Sequence, residues 1–209
     1  MNKDNKPQIF YHQYDLPNDL VLKGDLAIDT EAMGLNNHRD RLCVIQISNG
    51  DNTAHVVHFP EKKYDAPNIK KLLQDDSRAK LFHFGRFDIA ILEHYLQVKM
   101  SNVYCTKIAS RLTRTYTDMH GLKDLCFELL EVKINKQQQL SNWGSATLTQ
   151  DQINYAASDV LHLHALRDKL NILLKRECRY EMAQACFDFL PTRARLDLAG
   201  WNEFDILQH

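Results

Sequence analysis

The sequence predicts an α/β domain with a mixed central sheet flanked by helices. Three strand-like runs fall within residues 26–59, a strand-helix-strand succession occupies residues 80–106, and residues 107–187 read mostly as helix. Strands first and helices later, with one strand-helix-strand unit between them, is the pattern of a mixed sheet with covered faces.

Residues 8–11 (Gln-Ile-Phe-Tyr) predict a short edge strand. Residues 26–31, 42–48 and 54–59 predict three more strands. The last two are joined by Ser48-Asn49-Gly50-Asp51-Asn52, whose Asn-Gly pair suits a hairpin turn. An antiparallel meander follows from this. Residues 66–73 predict a helix and residues 80–83 a short buried strand. In 86–96, Phe87, Ile91 and Tyr95 recur at i, i+4 and i+8, the spacing of one helix face. A strand over 103–106 precedes helices over 107–112, 122–130, 149–175 and 181–187. The start of the third of these helices is marked by Thr149 and Gln152, a Ser/Thr-x-x-Gln capping box. No internal repeat or low-complexity segment interrupts the chain.

A chain of 209 residues, 44% hydrophobic and 25% charged, suits one soluble domain with an appended C-terminal element. No apolar run approaches the ~18 residues of a membrane span, and residues 1–6 carry no apolar region of a secretory leader. The five cysteines are odd in number and include no Cys-x-x-Cys pair, which argues for free thiols in a reducing cytoplasm rather than a disulfide framework or zinc ribbon. His162 and His164 point apart on a helix, and His55 and His58 fall on opposite faces of a strand, so neither pair favours zinc. A net charge of -1 argues against a long nucleic-acid tract held through many phosphates, and for a short substrate or a small basic patch.

The apolar run Leu26-Ala27-Ile28 ends in Asp29-Thr30-Glu31. Side chains at i and i+2 of a strand leave the same face, so Asp29 and Glu31 emerge side by side, where a divalent cation relieves their repulsion. Asp88 stands near the start of the helix that follows the strand at 80–83. Tyr155 and Asp159, at i and i+4, share a face of the capped helix. Four carboxylates, Asp29, Glu31, Asp88 and Asp159, form a set able to hold two Mg²⁺ or Mn²⁺ ions, which prefer oxygen ligands. Such a pair activates water and stabilises the leaving oxygen of a phosphodiester. Tyrosine, with an ordinary pKa near 10, is a poor base and suits orienting the water.

These segments resemble the three motifs of the DEDD exonuclease superfamily: Asp29-Thr30-Glu31, then His83 with Asp88 five residues on, then Tyr155-Ala156-Ala157-Ser158-Asp159. Tyrosine four before the last aspartate resembles the DEDDy branch; Asn154 stands where the sister branch has histidine. Lys136 and Ser141-Asn142-Trp143 bring the resemblance close to the RNase D group over residues 25–173. It implies a ribonuclease-H-like fold, metal-dependent 3′-5′ exonuclease activity, and Asp29, Glu31, Asp88, Tyr155 and Asp159 as catalytic residues. The exonuclease domain is expected over 1–175, with 176–209 a helix and apolar tail that packs on the domain or in a subunit interface, and no HRDC domain.

Departures from RNase D are Cys105-Thr106 in place of Asp-Thr, and Ala146-Thr147-Leu148 in place of Arg-Pro-Leu. The compact length, His38-Arg39-Asp40-Arg41, residues 107–117 and Lys136-Gln137-Gln138-Gln139 resemble the nanoRNase C type. That implies short oligoribonucleotides and dinucleotides as substrates and a ring-like homo-oligomer such as an octamer. The alternatives are trimming of structured RNA 3′ ends, action on single-stranded DNA, or an inactive nucleic-acid-binding scaffold. Substrate contacts are expected from Thr30, Leu35 (against the terminal bases, by the resemblance), His83, Arg86, Lys107, Arg111 and Lys136, with Arg114 a further candidate for phosphate.

Overall fold

The computed structural model describes residues 6–134, 138, 140–204 and 206–208. Six strands, β1 (Gln8–Gln13), β2 (Leu26–Ala32), β3 (Leu42–Ser48), β4 (Thr53–His58), β5 (Lys80–Phe82) and β6 (Val103–Cys105), form one sheet in the order β1-β4-β3-β2-β5-β6. The meander β2-β3-β4 is antiparallel, as the hairpin signal at Asn49-Gly50 requires. β1, β5 and β6 pair parallel to their neighbours, so the sheet is mixed. β3 is buried at every position, which explains its unbroken run Leu-Cys-Val-Ile where a half-exposed strand would alternate.

Among the described residues seven α-helices cover the sheet: α1 (Pro67–Leu73), α2 (Arg86–Leu96), α3 (Thr106–Thr113), α4 (Leu122–Leu130), α5 (Gln150–Leu161), α6 (Leu163–Arg176) and α7 (Tyr180–Leu196), followed by a π-helical turn, Asp197–Trp201. Helix α5 lies across β2, β3 and β4, while α6 packs on α3, α4 and β5. The single helix expected over 149–175 is therefore two, bent at His162 (φ -106°, ψ -5°). No glycine or proline marks that bend. It arises because the two halves serve different partners.

The helix expected over 181–187 runs to Leu196, through Pro191. Proline inside a helix removes a hydrogen bond and costs stability. Here the burial of Phe187, Leu190, Pro191 and Ala194, with α7 packed on α2 and β6, offsets that cost. The C-terminal apolar segment is thus split: Phe187 and Leu190 cover their own domain, while Phe189, Trp201, Phe204, Ile206 and Leu207 are exposed. Among the described residues no helix is long and apolar enough to cross a membrane.

Candidate active site

The site forms where β2 and β5 end. Leu26, Ala27 and Ile28 are fully buried, and the strand then delivers Asp29, Thr30 and Glu31 at the rim of the core. Asp29 pairs in register with Gln46 and Glu31 with Val44, and a bulge after Glu31 ends the regular pairing. Strand alternation puts Asp29 and Glu31 on one face and Thr30 on the other. Helix α5 crosses β2 and supplies Asp159. Its N-terminus is fixed by the predicted capping box, Thr149 and Gln152 each bonding the other's backbone N–H. One carboxylate oxygen each from Asp29, Glu31 and Asp159 lie within 4.8 Å of one another.

Asp88 enters from the first turn of α2 and is 5% exposed. The Thr30 hydroxyl, on the far side of the strand from Asp29, donates to Asp88 Oδ1 at 2.6 Å. Thr30, expected to touch substrate, lines the cleft and orients an acid there. Between β5 and α2 the chain turns sharply. Gly85 sits so close to Phe82 that a Cβ there would lie 2.6 Å from the Phe82 Cβ, and Phe84 takes a left-handed conformation (φ 65°). His83 Nδ1 lies 2.9 Å from the Thr106 hydroxyl, a packing role at the cleft wall.

The acids repel one another, with Asp88 and Asp159 buried and Asp29 and Glu31 half-buried at the cleft. Burial, then the charges of Asp88, Asp159 and Glu31, push Asp29 well above the usual carboxylate range. Burial, then Asp159 and Asp88, push Glu31 up to about 9. Asp88 is pushed up to about 7 by burial, with the Thr30 hydroxyl pulling the other way. Tyr155, hydrogen-bonded to Asp159, is likewise pushed up by burial and then by Asp159, Glu31 and Asp29. Its phenol stays protonated and acts as a hydrogen-bond donor. Trp143, buried with its ring 6.0 Å from that of Tyr155, props the phenol in place.

Among the described residues no lysine or arginine forms an ion pair with Asp29, Glu31 or Asp88. Buried carboxylates without a cationic partner are costly, and an all-oxygen donor set suits Mg²⁺ or Mn²⁺ over softer ions. The residues therefore fit divalent cations. Asp29, Glu31 and Asp159 form one close donor group. Asp88 exerts the largest charge effect on Asp29, so the fourth acid is electrostatically part of the same cluster.

The acids line a cleft of about 1130 Å³. Leu35 (87% exposed), Met33, His83, Phe84 and Lys107 also line it. Arg86, expected at phosphate, lines the cleft and is engaged by the chain itself: its Nε and Nη2 donate to Asp197 at 2.6 and 2.7 Å, and Nη2 also reaches the Asn202 carbonyl. Arg193 joins Asp197 at 3.2 Å, and His38 Nε2 lies 2.9 Å from the Leu198 carbonyl. The segment from Asp197 to Asn202 thereby becomes a wall of the cleft, a feature the sequence reading did not find.

Arg111 is exposed on α3 and does not line the cleft. Arg114 is fully buried and holds Glu128, Ser110 and the Met119 carbonyl, so its role is structural. Lys136 lies outside the described residues.

Comparison with known proteins agrees with this geometry. A 3′-5′ exonuclease family model matches residues 11–175. Ribonuclease D of Granulibacter bethesdensis is 31% identical over 154 residues, 74% of this chain and 38% of that protein. The chain thus spans about two-fifths of the length of such curated relatives. Brucella melitensis NrnC with bound Mg²⁺ is 54% identical with a TM-score of 0.92, covering 97% of this chain and 99% of that one. Brucella melitensis NrnC bound to pGG is 55% identical with a TM-score of 0.93, covering 98% and 100%.

Proposed function

The chain belongs to the 3′-5′ exonuclease family, and we propose that within it this protein is an exoribonuclease of the nanoRNase C type, cutting short oligoribonucleotides, down to dinucleotides, into 5′-mononucleotides. The observation that carries this reading is the likeness to pGG-bound NrnC over nearly the whole of both chains. The cleft supports it. At about 1130 Å³ it lies just above the range of small-ligand cavities, ~300–1,000 Å³, and it is walled by the chain's own C-terminal segment.

In this reading Asp29, Glu31, Asp88 and Asp159 hold two Mg²⁺ or Mn²⁺ ions. When bound, such ions lower the pKa of water and stabilise the charge on a leaving oxygen. The chain's residues supply position. Thr30 fixes the Asp88 carboxylate. The capping box fixes the helix turn that carries Tyr155 and Asp159. The Tyr155 phenol, held protonated, orients the attacking water through its hydroxyl and leaves proton removal to other groups. Leu35, His83 and Lys107 line the path of the substrate, with Leu35 against the terminal bases.

A cytoplasmic setting is supported by five free cysteines. The exposed Trp201, Phe204, Ile206 and Leu207 support a subunit contact in a homo-oligomer. The measurement that tests the substrate is the rate on 5′-labelled RNA of two, seven and twenty nucleotides with Mg²⁺, beside matched DNA. Rates highest on the dinucleotide are expected. Equal rates at all lengths would return the chain to general RNA 3′-end trimming, and no turnover on any substrate to a binding scaffold.

A further inference from the structure

The turn between β5 and α2 presents an aromatic ring that the fold does not need. Phe84 is 48% exposed, so its ring contributes little to the core. Its backbone is left-handed at φ 65°, a region that bulky side chains rarely enter and that glycine occupies without penalty. Of the other non-glycine residues with positive φ, Gln97, Glu131 and Cys178 lie at helix ends, Asn52 and Asn102 are of the type that tolerates this region, and Tyr14 follows the end of β1. Phe84, like Tyr14, neither ends a helix nor is an asparagine, and unlike all of these it lines the cleft. Such strain concentrates where function holds a side chain in place.

The neighbours fix where the ring goes. Gly85 allows the close approach to Phe82 that completes the turn; Phe82 is buried, and of the two residues between them Phe84 is the exposed one. Lys107 Nζ stands over the Phe84 ring, 4.1 Å from its centroid. An ammonium on an aromatic face holds the ring by cation–π attraction and sets a positive charge beside the surface a nucleotide would use. The remaining ring area is open to a cleft that also contains the four carboxylates.

Resting on the functional reading above, we propose that Phe84 is a stacking platform for one base of the oligonucleotide, with Lys107 bracing its ring. Aromatic rings stack with any base, so the platform adds affinity without reading sequence. Phe84 is a binding residue; it takes no part in moving protons or cleaving the bond.

The test combines three substitutions with two substrates. Phe84→Ala lowers kcat/KM on a dinucleotide about 10- to 100-fold, with the loss carried by KM, and Phe84→Trp restores most of it. Phe84→Gly separates binding from folding, because glycine relieves the left-handed backbone. Its melting temperature is expected at or above that of the unaltered protein while KM rises as for alanine. Dinucleotides lacking the 5′ or the 3′ base complete the design. On one of them Phe84→Ala and the unaltered protein become equal, which identifies the stacked base. Phe84→Gly with an unaltered KM, or an alanine penalty of the same size on intact and both abasic substrates, would overturn the proposal. Failure of the unaltered protein to cut any oligoribonucleotide would instead strike the functional reading on which it rests.

Discussion

Replacing Glu31 by glutamine should stabilise the metal-free protein while destroying its activity. In the folded chain Glu31 titrates at about 9, against an ordinary 4.5, because it is buried and faces Asp159 and Asp88. A carboxyl whose folded value is raised binds a proton that the unfolded chain releases, so folding takes up a proton and stability falls as pH rises. The loss begins near 4.5 and levels off above 9. At pH 7 the roughly 2.5 pH units above 4.5, at about 1.4 kcal/mol each, come to about 3 kcal/mol. Glutamine has the same shape and no such proton to take up. For a chain of this size about 3 kcal/mol corresponds to roughly 6–12 °C in melting temperature. Thermal unfolding in EDTA, with and without the substitution, from pH 5 to 9, measures it: the gap should be small at pH 5 and widest at high pH. Adding Mg²⁺ or Mn²⁺ should reverse the order, since a ligand at 100 times its Kd contributes about 2.7 kcal/mol and the variant loses part of its donor set. A variant that melts at or below the unaltered protein in EDTA at pH 8 would refute the reading of a strained anionic cluster.

Three further outcomes follow from single contacts. Tyr155→Phe removes the hydroxyl that bonds Asp159; kcat/KM should fall about 10- to 150-fold, the worth of a hydrogen bond to a charged group, with the alkaline limb of the pH profile unmoved, and full retained activity counts against the assignment. Thr30→Val removes the donor to Asp88, which should push that acid further above its present value of about 7 and raise the Mg²⁺ concentration for half-maximal rate at pH 7, an effect that fades by pH 9. An unchanged Mg²⁺ dependence would show that the Thr30 bond does not govern Asp88. Gly85→Ala places a methyl 2.6 Å from Phe82; unfolding in urea should register a loss of about 1–3 kcal/mol, as for overpacked cores, and an unaltered midpoint would mean the turn has room to spare.

Much of the site is legible in the sequence because its parts obey short-range rules. Asp29 and Glu31 share a face through the two-residue period of a strand, which β2 keeps up to its bulge. Tyr155 and Asp159 share a face through the helical period, and the box that starts their helix is written in Thr149 and Gln152. The acids that converge from three elements are then constrained by the strand-helix order alone. The bend at His162 was not legible, since nothing local breaks the helix there. What bends it is that α5 covers the sheet while α6 packs on α3 and α4.

The basic residues show where such reading ends. Arg86, Lys107, Arg111 and Arg114 are equivalent as letters, and any of them suits a phosphate. Each is assigned by what lies within reach after the chain has closed on itself. Arg86 meets Asp197, 111 residues away, and so builds a wall of the cleft. Arg114 is buried and meets Glu128, which stays exposed. Lys107 meets the ring of Phe84 and stays in the cleft. An arginine that finds a carboxylate in two-point geometry satisfies its fork there, and the charge it would have offered a substrate is spent on architecture. The C-terminal wall of the cleft is therefore set by long-range pairing, whereas the placing of the acids is set by local periodicity.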